Sequence, residues 1–286
     1  MAEVSIIIPA RTEKFLNNTI KSVLDNAVGD IEVIPVLDGY GDTPYEKIDD
    51  PRVNYISLPV PHDGLERHKR QAINVAVSIS HGKYICWLDA HCAVGKGFDE
   101  ILAKDCQDNW VMVPRRCRMD VENWTGTNWV KPPIDYEYYM WQHLKNGRIA
   151  GYKWDIKTVE RMNVPIDDIF TAQGSFFFMT RKWFDYCRFM KIDGYTGWGQ
   201  EGEEVCLTTI QNGGRAMVDK NTWYAHLHKG KRFGRMYKWS KTEPSYNYSF
   251  NYWVHQNKEF FISIIDRFGP FPGWWSNWKG RIYGHK

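Results

Sequence analysis

Short apolar runs of strand length alternate with helix-length amphipathic segments along the first third of the chain, and few architectures accommodate that order. Residues 4–9 form one continuous apolar run and residues 31–37 another, each closed by turn-forming residues, with a helical pattern over 15–26 between them. The spacing then predicts a third strand over 53–58, a helix over 65–80 with Ala72, Ile73, Ala76, Val77 and Ile79 on its apolar face, and a fourth strand over 83–88. Alternation of this kind implies an α/β fold whose mainly parallel, buried sheet is flanked by helices. Ligands of open parallel sheets gather at the carboxyl ends of the strands. Pro9-Ala10-Arg11, Asp38-Gly39 and Asp89-Ala90-His91 all fall at such ends, so three separate segments point to one crevice.

The last of these carries metal chemistry. At the end of a strand, residues i and i+2 point to the same side, so Asp89 and His91 can share one divalent cation. A carboxylate and an imidazole suit Mn²⁺, or Mg²⁺, and an ion there can neutralise a diphosphate. The competing structural reading is a solvated strand-to-loop corner, where Asp and His are ordinary turn residues.

At 286 residues and 43% hydrophobic content, the chain has room for one large domain with appendages. The expected division is a catalytic domain over 1–229 and a tail over 230–286. Net charge is only +3, but Lys, Arg and aromatic residues crowd the final third, which favours an anionic or stacking ligand there. Six cysteines, at 86, 92, 106, 117, 187 and 206, form no CxxC pair and read as reduced thiols of a cytoplasmic protein. The N-terminus enters a strand almost at once, and no stretch reaches the roughly eighteen apolar residues of a membrane span. A soluble protein without integral membrane association is expected.

Beyond residue 99 the pattern loosens. A strand is predicted over 110–114, and the irregular stretch 120–168, rich in Trp, Tyr, Pro and Gly, is assigned to substrate contact. An apolar run over 170–179, a helix over 181–190, a glycine-rich loop over 194–202, a helix over 203–211 and strands over 215–218 and 222–226 complete the core. In the tail, Phe250, Trp253, Val254, Phe261 and Ile264 fit one helical face, which predicts a helix packed on the domain and then an extended Pro/Gly-rich strap.

These motifs, in this order, resemble the GT-A glycosyltransferases of family 2 type, with local similarity to the polypeptide N-acetylgalactosaminyltransferases. The segment Ser5-Ile6-Ile7-Ile8-Pro9-Ala10-Arg11-Thr12-Glu13 resembles the family's first strand and nucleotide-binding turn, which implicates Pro9, Arg11 and Glu13 in donor binding. Gly64-Leu65-Glu66-Arg67-His68-Lys69-Arg70 is similar to the basic segment before the metal strand. Asp89-Ala90-His91 departs from the commoner DxD as those transferases do, and Gly197-Trp198-Gly199-Gln200-Glu201-Gly202-Glu203-Glu204 resembles their WGGE segment. The resemblance covers residues 4–230 and implies a third metal ligand from Tyr224-Ala225-His226-Leu227-His228. His226 and His228 would face one side of a strand, and His226 follows the apolar run directly.

Each side chain also has a physical role and a bland rival. Asp38 can accept hydrogen bonds from a nucleobase imide or a ribose hydroxyl, which suits a pyrimidine nucleotide such as UDP, or it can be a strand-end turn residue. Arg11, Arg67 and Lys69 can hold the diphosphate, the latter two being otherwise a solvated helix face. Lys229, Lys231 and Arg232 can reach phosphate from a closing loop or form a surface basic cluster. Glu201 and Glu204 are candidates to take the acceptor hydroxyl's proton, or to orient the sugar if configuration is retained, whereas at a helix N-terminus Glu201 and Glu203 merely complement the dipole. Gly194, Gly197 and Gly199 permit sharp bends, and Trp198 can stack on a sugar or base.

The expected activity is transfer of a hexose-type sugar from a UDP-linked donor to a hydroxyl of a saccharide, a protein or, as in phage-type enzymes, a hydroxymethylated DNA base. Two other classes compete. A nucleotidyltransferase would share sheet and metal but release pyrophosphate, and a non-catalytic glycan- or nucleic-acid-binding module would need the aromatic tail without the aligned Asp89, His91 and late histidine.

Overall fold

The computed structural model describes residues 3–39, 45–59, 69–127, 132–234 and 241–284. Among the described residues twelve strands succeed one another: β1 (Val4–Arg11), β2 (Ile31–Asp38), β3 (Ile56–Leu58), β4 (Tyr84–Leu88), β5 (Cys92–Val94), β6 (Trp110–Asp120), β7 (Thr125–Thr127), β8 (Glu137–Tyr139), β9 (Gly151–Lys153), β10 (Ile166–Ile169), β11 (Phe176–Thr180) and β12 (Arg215–His226). Ten of them build one sheet in the order β10-β12-β6-β11-β4-β1-β2-β3, with β5 added on β12 and β7 on β6, while β8 and β9 pair separately. β1 runs parallel to β2 and β4, β2 to β3, and β6 to β12. β11 lies antiparallel between β4 and β6, and β10 antiparallel on β12. The sheet is mixed and mostly parallel, flanked by helices as the alternation predicts.

Continuous apolar runs form its centre because helices cover both faces and leave no solvated side to alternate against. Ile6, Ile7 and Ile8 of β1 and every residue of β4 and β11 are buried. The helix Leu16–Asn26 buries Leu16, Ile20 and Val23, and its hydroxyls complete the neighbouring strand: Thr19 Oγ1 accepts from Cys92 N at 3.0 Å and Ser22 Oγ from Val94 N at 3.1 Å. These bonds satisfy β5 on the side where it has no strand partner and fix the chain just after His91.

Several elements differ from their predicted extents. The third strand shortens to Ile56–Leu58, with Val53 contributing only an isolated bridge to Val33. The strand predicted over 110–114 continues to Asp120, and the two predicted over 215–218 and 222–226 are one strand with a register shift between Asp219 and Trp223, where Asn221 N donates to Asp219 Oδ1 at 2.9 Å. The helix after β11 ends at Cys187 because Arg188 turns left-handed at φ 52°. The helix described for the 65–80 segment is Lys69–Ile79; residues 64–68, including Arg67, lie outside the described residues, as does the side chain of Lys231. Within the stretch 120–168, the described residues hold β7 to β10 and two short helices.

The tail packs on the sheet domain through a second apolar cluster in which Trp253, Val254, Phe261 and Ile264 meet Tyr139, Phe170 and Leu207. Phe250, expected on the same face, is only partly buried, because Asn251–Gln256 is a π-helical turn whose wider winding rotates the preceding residues off that face. The strap follows: Phe271 stacks on Phe170 at 5.2 Å and Trp274 Nε1 donates to Tyr139 O at 2.7 Å. Truncating a fully buried aromatic in such a cluster costs about 3–5 kcal/mol. Trp253→Ala should therefore lower the unfolding free energy by that amount in urea titration, and a loss under about 1 kcal/mol would mean that the tail does not share the core.

Candidate active site

The carboxyl ends of β1, β2 and β4 and the end of β12 meet along one edge of the sheet. Arg11 and Asp38 close their strands as register partners, and Arg11 Nη1 lies 3.6 Å from Asp38 Oδ2, with Asp38 buried. Thr12 then takes a left-handed conformation at φ 40°, a strained turn for a β-branched residue. Beyond it, the buried Glu13 faces the site.

The metal-type residues come together by pairing across the sheet. β5 runs antiparallel to β12 with Cys92 opposite His226, and Leu227 N donates to His91 O at 3.1 Å, which seats His91 beside His226. Their Nε2 atoms are 3.1 Å apart. His226 Nε2 lies 3.4 Å and His91 Nε2 4.0 Å from Asp89 Oδ2, and one donor atom from each of the three residues falls within 4.8 Å of the others. One carboxylate and two imidazoles at that spacing fit a divalent cation. Burial pushes the His226 imidazole down to about 3, so it stays neutral with a lone pair to offer. Burial alone would raise the Asp89 carboxyl, but the Lys69 ammonium, a hydrogen bond from His226 and the charge of His91 hold it well below the usual carboxylate range.

His228 stands apart from this set. β12 ends at His226, so strand alternation does not carry to His228, whose exposed ring sits edge-on to that of His226 at 4.7 Å. Glu13 is beside the histidines: its Oε2 lies 3.3 Å from His91 Nδ1 and pairs with the buried Lys229 ammonium. Lys229 is thus drawn inward against Glu13 rather than standing on a surface loop. Lys69, expected toward diphosphate, donates to Asp89 Oδ1 and to Gly174 O at 2.6 Å.

Glycines set the approach to the helix that carries Glu201. A Cβ on Gly202 would sit 1.8 Å from Ala172 O, so only glycine lets the helix Glu201–Gln211 begin against the 172–174 loop. This brings Glu201 to Gly174, with Lys69 in the field of its charge. The preceding loop is clasped by the tail: Gly197 N donates to Ser245 Oγ at 2.9 Å and Trp198 N to Lys241 O at 3.2 Å, leaving Trp198 41% exposed. The N-terminus of that helix was expected at residue 203; it starts at Glu201, after Gly199 and Gln200 at φ 95° and 70°.

A family model described as glycosyl transferase family 2 matches residues 5–187, which include β1, the Asp89-Ala90-His91 strand end and β11. The chain belongs to glycosyl transferase family 2. No curated protein matches it in sequence. Among solved structures, the chain is similar to GalNAc-T7 crystallised with UDP, GalNAc and Mn²⁺, with a TM-score of 0.62, 16% identity, and 98% of this chain and 50% of that one covered. The chain therefore spans about half the length of that relative, and the shared architecture is the GT-A fold. Staphylococcus aureus TarS is a weaker likeness, with a TM-score of 0.47, 12% identity, and 80% and 37% of the two chains covered.

Within this family 2 chain, two carboxylates after Glu201 have places that the sequence does not reveal. Glu204 is buried in an ion pair with Arg70, both side chains 1% exposed, and accepts from Lys191 N at 3.0 Å. Arg70 in turn lies over the Tyr195 ring at 4.1 Å. Expected to activate an acceptor, Glu204 instead ties the helix Lys69–Ile79 to the helix Glu201–Gln211, because its distant partner is a buried guanidinium. Arg116, also missed, is buried between Gln173 Oε1 at 2.9 Å and Glu137 Oε1 at 2.6 Å, contacts too remote in sequence to leave a local signal.

Glu203 accepts from Gly151 N at 3.2 Å, and burial, reinforced by the charges of Glu137 and Glu201, pushes its carboxyl up to about 8. The folded protein keeps a proton there that the unfolded chain releases, so this group costs stability progressively as pH rises from about 5 to about 8. Glu203→Gln should gain stability over the parent across that interval and hold a constant margin above it. A margin independent of pH in urea titrations would contradict the buried, protonated carboxyl.

Proposed function

We propose that the chain transfers a sugar from a UDP-linked donor to an acceptor hydroxyl, assisted by a divalent cation, Mn²⁺ or Mg²⁺, held by Asp89, His91 and His226. The observation that carries this reading is the meeting of those three donor atoms within 4.8 Å at the ligand-binding edge of a family 2 chain. GalNAc-T7, which shares the fold, was crystallised with UDP and Mn²⁺. A bound cation would neutralise the charge that develops on the leaving diphosphate.

The remaining work belongs to the chain. Asp38, buried and steadied by Arg11, offers acceptor oxygens to a uracil imide or a ribose hydroxyl. Pro9 and Arg11 bring the first strand against the nucleotide, and the ammonium of Lys229, balanced by Glu13, is the nearby cation toward phosphate. Glu201 takes the proton of the acceptor hydroxyl as that oxygen bonds to the anomeric carbon; the carbon–diphosphate bond breaks and its electron pair leaves with UDP. In a retaining reaction Glu201 orients the sugar instead. Trp198, exposed on the loop before Glu201, gives a sugar ring or base a stacking face, and the tail over 230–286 contributes to the acceptor side through its hold on the Trp198 loop.

Among the described residues no helix is long and apolar enough to cross a membrane. Cys86, Cys92, Cys106, Cys187 and Cys206 carry no disulfide, which supports a reducing, cytoplasmic setting.

A thermal-shift panel of nucleotide sugars with and without Mn²⁺ tests the donor: a UDP-sugar at a hundred times its Kd should stabilise the protein by about 2.7 kcal/mol, with Mn²⁺ strengthening the effect. Equal shifts from all nucleotides, or none from any, would contradict UDP-sugar binding. Asp89→Asn should remain folded by circular dichroism and lose at least about a hundredfold in metal-dependent turnover, the several kcal/mol that a cation supplies. Full activity of that variant would remove the metal from the mechanism.

A further inference from the structure

We propose that Lys69 confines Asp89 to a single coordinating oxygen, so that the site accepts a cation through two imidazole nitrogens and one carboxylate oxygen and thereby rejects Ca²⁺. The inference rests on the cation site proposed above and goes beyond it by naming the residue that sets which cation fits.

The two oxygens of Asp89 face different partners. Oδ1 accepts from the Lys69 ammonium, whereas Oδ2 is the atom nearest His226 Nε2, at 3.4 Å, and His91 Nε2, at 4.0 Å. Lys69 cannot easily swing aside. Its ammonium is also bonded to Gly174 O at 2.6 Å, its side chain is 17% exposed, and the next residue, Arg70, is locked by Glu204 at 1% exposure. The carboxylate is therefore divided, one oxygen spent on a fixed protein cation and the other left for a mobile one.

This division matters unequally among ions. Ca²⁺ gathers about six to eight oxygen ligands and commonly takes both oxygens of a carboxylate, and it gains little from imidazole. A transition ion with preferred bond directions is served by two nitrogens and one oxygen, with the remaining positions open to diphosphate oxygens. With Oδ1 engaged, bidentate binding would require the ion to displace an ammonium of like charge from a half-buried ion pair. Lys69 is thus a positioning residue acting through Asp89, and its hold on Gly174, which touches Glu201, joins the cation side of the cleft to the acceptor side.

The test is competition between Mn²⁺ and Ca²⁺ on the full chain, reading free Mn²⁺ by electron paramagnetic resonance, for the parent, Lys69→Met and Lys69→Arg. Lys69→Met frees Oδ1, and the ratio of the Ca²⁺ to the Mn²⁺ dissociation constant should fall by about tenfold, while Lys69→Arg, which keeps a charged donor, should stay near the parent ratio. A Lys69→Met ratio within about threefold of the parent would overturn the inference while leaving the cation site intact. Should Lys69→Met fail to fold, a crystal structure of the parent with Mn²⁺ decides: one Asp89 oxygen on the metal and the other on Lys69 upholds it, and both oxygens on the metal overturn it. A parent protein that binds no Mn²⁺, with or without UDP, would overturn both this inference and the reading beneath it.

Discussion

The antiparallel pairing of β5 with β12, Cys92 opposite His226, is the contact on which the site depends. Asp89 and His91 are two residues apart and need only a strand end to share a face; His226 lies far along the chain and reaches them only because this short ladder sets it there. The ladder is itself supported from outside, by Thr19 and Ser22 of the helix Leu16–Asn26, which bond Cys92 N and Val94 N. A slip of one residue in such a ladder would turn His226 to the other face of the sheet. Sheet register and a helix's two hydroxyls together convert sequence-distant imidazoles into neighbours 3.1 Å apart.

Charge in the crevice is arranged in pairs. Asp89 is set against Lys69, Glu13 against Lys229, Asp38 against Arg11, and Glu204 against Arg70. For Asp89 and Glu13 the paired cations outweigh burial and hold the carboxyls below the usual carboxylate range. Glu203 is the contrast: it is buried with the charges of Glu137 and Glu201 near it and holds its proton.

Local pattern carried the parallel core, because β1, β2 and β4 are buried on both faces and read as unbroken apolar runs. It also carried Asp89 and His91, whose relation is a strand period. What it could not carry is any contact between segments far apart. Glu204 looks like an accessible helix-start carboxylate until Arg70 is placed against it, and Lys229 reads as a surface charge until Glu13 draws it inward. The antiparallel insertion of β11 between β4 and β6 has no local signature either, since Phe176–Thr180 is as uniformly apolar as a parallel strand. That His226 rather than His228 lies beside Asp89 and His91 follows from β12 ending at His226. Gly202 was visible in its motif, but the reason for it, a carbonyl of Ala172 packed where a Cβ would stand, belongs to tertiary structure. The tail's apolar face was legible, whereas the π-helical turn that moves Phe250 off it was not.

The central claim is that one divalent cation is gripped by Asp89, His91 and His226 where the donor's diphosphate binds. Anomalous X-ray diffraction from crystals grown with Mn²⁺ and UDP tests it most directly. The account predicts one strong peak bonded to Asp89 Oδ2 and to the Nε2 atoms of His91 and His226, with diphosphate oxygens completing its shell. Ordered UDP with no peak among those three side chains, or a peak held by other residues, would contradict it.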